Sequence, residues 1–129
     1  MIEAENELSS MKYDAKESIL YINIRLGCEM TKENLVKHYS DIRELTKGEH
    51  YYAVIDVSNY YSISDEAMRY AATKEALEKR AAAAYFNPCL ANKISINFLK
   101  VRHRIEIPFS IFETRNDALE WIEKLKNKN

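Results

Sequence analysis

Tyr51-Tyr-Ala-Val-Ile-Asp-Val-Ser-Asn-Tyr-Tyr-Ser-Ile-Ser-Asp-Glu66 starts as a near-continuous apolar run, meets an aspartate, crosses a polar aromatic loop and ends on a helix start. A parallel strand covered on both faces reads as such a run, whereas a half-solvated strand alternates. Residues 51–57 are therefore expected to form an inner strand of a parallel sheet. Ligand sites of open α/β sheets lie where strand C-termini meet helix N-termini, which puts the region to search between Asp56 and Ser64. Ser64 suits a helix N-cap, with Asp65 and Glu66 favourably placed in the positive first turn behind it.

Upstream, residues 18–26 set Ile19, Tyr21, Asn23 and Arg25 against Leu20, Ile22, Ile24 and Leu26, the period of a strand. Lys12-Tyr13 with Asp14–Glu17 is expected to supply a short antiparallel hairpin partner, leaving residues 1–10 as a loose acidic tail. Thr31 caps a predicted helix whose stripe runs through Leu35, Tyr39, Ile42 and Leu45 or Thr46 until Gly48 stops it.

Downstream, Met68, Ala71, Ala72 and Leu77 are the expected core contacts of the helix that Ser64 opens. Helix propensity alone carries that helix through the alanines at 81–84. A break near Arg80 instead gives a strand over 81–86, whose small side chains let helices pack close, and periodicity does not choose between the two. Asn87-Pro88 reads as N-cap and first residue of a third helix, with Leu90, Ile94, Phe98 and Val101 inward. Ile96 and Leu99 widen its apolar arc so far that deep burial or a partner is implied. Ile105, Ile107 and Phe109 lead into a last strand over 109–112, with Pro108 at its start. Thr114 and Asp117 resemble a capping box ahead of a terminal helix carrying Ala118, Leu119, Trp121, Ile122 and Leu125.

The chain has 129 residues, enough for one domain with its own core. Its acidic N-terminus lacks the basic start of a signal peptide, and no apolar run reaches membrane-span length, so a soluble, cytoplasmic protein without membrane contact is expected. Cys28 and Cys89 are far apart and outside any CxxC, as free packed thiols would be. The net charge is −1. Lys93, Lys100, Arg102, His103 and Arg104 form the basic concentration, too slight to imply nucleic acid. His38, His50, His103 and the cysteines show no metal-ligand spacing, and the two glycines, Gly27 and Gly48, make no phosphate loop or dinucleotide fingerprint. No G-x-S-x-G surrounds a serine. Neither a catalytic residue nor a cofactor is assigned.

Ile19-Leu-Tyr-Ile22, Ile55-Asp56-Val57, Glu66-Ala67-x-Arg69-Tyr70, Leu90-Ala91-Asn92, Asn97-Phe98, Pro108-x-x-x-Phe112 and Ala118-Leu119-x-Trp121 occur in an order that resembles small bacterial STAS-like proteins. These are related in fold to sporulation anti-anti-sigma factors and to the cytosolic domains of sulfate transporters. The resemblance covers about residues 11–126 and implies one domain. Its expected fold is α/β: a mixed, mostly parallel sheet of four to five strands flanked by four helices, βαβαβαβα with an N-terminal hairpin. It supports the strand at 81–86. It also implies a regulatory or binding module without catalysis. Related anti-anti-sigma factors switch a partner interface with a phosphorylatable serine at this helix start. Here the serine's place falls on Asp65 or Glu66, while Ser62 and Ser64 sit slightly early, so either a phospho-site or a built-in acidic mimic is implied beside plain capping.

Asp56, ending a buried strand, either accepts backbone N–H bonds from the next turn or faces a ligand. Ser58, Asn59, Tyr60, Tyr61, Ser62, Ser64 and Arg69 offer the hydrogen bonds and aromatic surface of a binding loop and helix start, and Asn87 and Asn92 lie on the same expected sheet edge. The expected role is docking of a protein partner, or a second copy, through residues 56–69. The alternative is a pocket at the same edge for a small apolar or anionic metabolite, and a small hydrolase or transferase is the remote one.

Overall fold

The computed structural model describes residues 1–128, in the order β1 (Ile2–Glu5), β2 (Ser9–Asp14), β3 (Ile19–Ile24), β4 (Glu29–Met30), α1 (Lys32–Thr46), β5 (Tyr51–Asp56), β6 (Ser62–Ile63), α2 (Asp65–Ala71), β7 (Arg80–Phe86), α3 (Leu90–Arg102), β8 (Phe109–Phe112) and α4 (Arg115–Asn127). Six strands form one sheet in the order β1-β2-β3-β5-β7-β8, and β4 pairs with β6 in a separate two-stranded ladder. β1, β2 and β3 are antiparallel neighbours, whereas β3, β5, β7 and β8 are parallel. The mixed α/β architecture follows the expectation.

β5 is the inner strand that its apolar run predicts. Ala53 and Ile55 join Leu20, Ile22 and Ala83 in the larger core under the helices α1, α2 and α3. Val54 points the other way, joining Ile19, Ala82 and Ala84 against Ala118 and Ile122 of α4. The alanines of β7 thus serve both faces, and their small side chains admit α4 directly onto the sheet. Asn87 and Phe86 close this strand, and α2 stops at Ala71, so no helix bridges residues 64–85.

Five expectations need correction. Residues 2–5 are not a loose tail: Ile2 to Glu5 pair with Tyr13 to Ser10 as an edge strand, which makes the sheet six strands wide. Asn6 secures the bend, its Oδ1 accepting from Leu8 N and Ser9 N at 2.9 Å and its Nδ2 donating to Asp41 Oδ2 at 3.0 Å. The hairpin partner is Ser9–Asp14, and residues 15–18 make the turn. Leu77 is only partly buried, its expected core position taken by Ala76. The N-cap of α3 is Cys89, without a side-chain cap bond; Asn87 precedes it in a left-handed turn at φ 54°. Asparagine tolerates that backbone region better than most side chains, which explains its presence there.

The fifth correction concerns the face of α3. Leu90, Ile94, Phe98 and Val101, expected inward, are 74 %, 60 %, 45 % and 84 % exposed. Asn92 and Ile96 are buried instead.

Candidate functional site

The loop after β5 is held by an asparagine from another element. Asn92, fully buried in the first turn of α3, donates from Nδ2 to Val57 O at 2.8 Å and to Asn59 O at 2.7 Å, while its Oδ1 accepts from Tyr61 N at 3.4 Å. A carboxamide is the side chain with both donors and an acceptor at one end, so it satisfies a backbone loop that no strand can pair. Asn59 extends the same net, donating from Nδ2 to Ile24 O at 3.1 Å. The backbone beyond is tied to the segment before α1: Gly27 N donates to Tyr60 O, Ser62 N to Cys28 O and Ser64 N to Met30 O.

These bonds divide the sequence-derived candidates by role. Asn59, Tyr61 and Asn92 build the loop, and burial raises the Tyr61 phenol well above its ordinary pKa. Ser64 caps α2, its Oγ accepting from Ala67 N at 3.0 Å, with Asp65 and Glu66 exposed beside it in the first turn. Ser58, Tyr60, Ser62 and Arg69 face solvent. Asn87 is exposed and its backbone N–H pairs with Phe112 O, outside the loop net.

Asp56 stands apart because side chains alternate along a strand. Its Oδ1 accepts from Ser58 N at 2.9 Å, the turn-closing bond of its two possible roles. Its carboxylate side belongs to the α4 face, where Tyr21, Asn23, Val54, Asp56, Phe86 and Arg115 border an open groove of ≈ 960 Å³. Asn23 lies opposite Asp56 in register, and the Arg115 guanidinium carbon sits 4.7 Å from the centroid of the Tyr21 ring. Asp56 and Asn92 are thus on opposite sides of the sheet and do not converge.

The other side holds a cavity of ≈ 70 Å³ between the sheet and α1, α2 and α3, bordered by Ile55, Val57, Tyr61, Met68 and Ile96 and, more unexpectedly, by His38 and Arg80. His38 is buried, and burial, then the Arg80 cation, lower its pKa to about 3 against the opposing pull of Asp41. Its neutral ring lies with Nδ1 3.2 Å from Asn6 Nδ2, which donates to it. Tyr39 on the same wall is pushed up to about 12, chiefly by burial. Sequence reading missed both of these cavity side chains because a histidine on an amphipathic helix and an arginine at a strand start are ordinarily solvated.

The conspicuous surface feature is the outer side of α3. Leu90, Ile94, Phe98 and Val101 succeed one another at helical spacing, and the Arg102 guanidinium carbon lies 5.3 Å from the Phe98 ring centroid. Asn92, on the buried side of this helix, ties its first turn to the loop bearing the half-exposed Tyr60. Among the described residues no group of three or more His, Cys, Asp or Glu side chains gathers as a metal site would require, and no helix is long and apolar enough to cross a membrane. Both cysteines are free and partly buried.

Comparison with known proteins bears on family and fold. A crystal structure of an uncharacterized DUF3478-family protein with a SpoIIAA-like fold, from Shewanella loihica PV-4, is similar over 92 % of this chain and 97 % of that one, at a TM-score of 0.59 and 14 % identity. That likeness establishes the STAS-like fold and nothing finer. No curated protein matches the chain. The model of a domain of unknown function, DUF7793, matches residues 13–126, and the chain therefore belongs to the DUF7793 family, built on a SpoIIAA-like fold.

Proposed function

We propose that this protein is a non-enzymatic interaction module that docks a protein partner on the surface formed by the 58–69 loop and helix start together with the outer side of α3. The observation that supports the reading is the unburied stripe Leu90, Ile94, Phe98 and Val101. Scattered exposed apolar residues are ordinary, but four large ones aligned on a single helix make a contiguous apolar patch of the kind that marks contact sites. Lys93, Lys100 and Arg102 flank the stripe, so a complementary partner would present apolar side chains rimmed by carboxylates. Tyr60 adds an aromatic anchor at the loop end, and aromatic side chains are over-represented where interfaces gain their energy. Ser62 and Ser64 lie at the rim, where added phosphate charge would alter the same surface, giving the regulatory element of the proposal.

The test is quantitative affinity capture from the source cells with the wild-type chain, an Ile94→Glu/Phe98→Ser variant, and a Glu120→Arg control on exposed α4. A partner kept by wild type and control but lost by the α3 variant supports the assignment. Equal recovery by all three, or recovery of nothing by any, counts against it.

A further inference from the structure

Arg80 opens β7 and is 5 % exposed, yet it takes part in none of the ion pairs among the described residues. Its Nε donates to Tyr51 Oη at 3.0 Å. The guanidinium carbon lies 5.2 Å from the Tyr39 ring centroid and 5.5 Å from that of Tyr51. Aromatic faces stabilise the charge but accept nothing from the in-plane N–H groups, of which guanidinium has five. Four therefore have no protein acceptor among the described residues. An arginine buried without an anion is costly, and structures retain such an arrangement where the charge has a use.

The guanidinium borders the ≈ 70 Å³ cavity, whose other walls are largely Ile, Val, Met and Leu side chains with Tyr85 and Ser95. It also borders a smaller void of ≈ 20 Å³ under Ile105, Ile107 and Phe109. His38, the other ionisable nitrogen on the wall, is neutral at physiological pH, so the cavity presents a single positive charge in an apolar shell. One planar fork matches one carboxylate bidentately, whereas a phosphate dianion would bury a second charge and further oxygens against hydrocarbon. A cavity of this size accommodates roughly five water-sized spheres, which corresponds to a body of on the order of four or five carbons after slight side-chain adjustment.

We infer that Arg80 is the anion anchor of a binding site in this cavity for a short-chain monocarboxylate with an unbranched or singly branched apolar body. The site lies beneath the docking surface and is independent of it. Tyr51 orients the guanidinium through its Oη, and Ile55, Val57, Met68 and Ile96 enclose the hydrocarbon.

Calorimetric titration and thermal shift of the purified chain would test this with butyrate and isovalerate, the matching amides, and inorganic phosphate, each at about 10 mM to reach millimolar dissociation constants. The acids are expected to bind and raise Tm, each amide about tenfold or more weakly, and phosphate not at all. Arg80→Lys, keeping charge but losing the fork, should weaken acid binding, and Arg80→Met should abolish the preference for acid over amide. Should Arg80→Met fail to fold, the acid–amide comparison on the wild-type chain decides alone. Equal binding of acid and amide, acid binding undiminished by either variant, preferential phosphate binding, or no binding by any acid would each overturn the proposal.

Discussion

Replacing Asn92 by alanine should cost more stability than a surface-helix substitution could, and should loosen one particular loop. The side chain is fully buried and gives two short hydrogen bonds, at 2.8 and 2.7 Å, to Val57 O and Asn59 O. Removing it leaves Asn59 O without that donor and Val57 O with only the longer bond from Cys89 N, at 3.3 Å. An unpaired buried group costs about 1–3 kcal/mol, and taking about 1.5 kcal/mol for Asn59 O and about 1 kcal/mol for the bond lost at Val57 O, with little for the longer contact from Tyr61 N, gives about 2.5 kcal/mol. An unfolding entropy of about 2.1 cal/mol/K per residue, applied to this chain length, converts that loss into a Tm drop of roughly 9 °C. Asn92→Asp preserves the volume but turns the donor into an anion facing two carbonyl oxygens, so it should be worse at neutral pH and recover partly on acidification. Urea unfolding with amide hydrogen exchange is the assay. Accelerated exchange should concentrate at residues 57–61. A loss below about 1 kcal/mol, with unchanged exchange there, would refute the claim that this asparagine holds the loop.

Other outcomes follow from the same structure. His38 has a folded-state pKa of about 3 against an ordinary 6.5, so the unfolded chain binds more protons between those values. Stability from this group is complete above pH 6.5 and declines as pH falls, by up to about 1.4 kcal/mol per unit. His38→Asn, whose Oδ1 can still accept from Asn6, should flatten the urea midpoint between pH 7 and 5; an unchanged slope would show that His38 is protonated in the fold. Ser64→Ala removes the bond to Ala67 N and should cost about 1 kcal/mol, measured by denaturant midpoint, while Ser62→Ala stays within about 0.5 kcal/mol. Ile94→Glu with Phe98→Ser should leave the isolated chain within about 1 kcal/mol of wild type, because both side chains are substantially exposed; a large loss would mean that α3 packs with this face inward.

The fold was legible where hydrophobic pattern and local chemistry agree. β5, β8 and the capped helices α1, α2 and α4 follow from an apolar run, from Thr31, Ser64 and Thr114 as caps, and from Lys47 and Gly48 in left-handed conformation at the end of α1. The polyalanine stretch defied propensity because its small side chains serve α4 packing, a tertiary gain that no local scale contains. The N-terminal strand was missed because its solvated alternation of acidic and apolar residues looks like a tail until Asn6 and the β2 edge are in place. On α3 the helical period was right but the face was wrong. Asn92 reads as a binding residue at the sheet edge, whereas it marks the inward side of the helix, and only the unmet backbone groups of a loop over 30 residues earlier explain it. The same blindness hid Arg80, whose burial depends on aromatic neighbours from α1 and β5.

The docking assignment is tested most directly by placing a photocrosslinking amino acid at Ile94 in the living source cell, with Glu120 on α4 as the control position. The account predicts a discrete covalent adduct of higher mass from position 94 that is absent at position 120. No adduct at 94, or the same products from both positions, would contradict it.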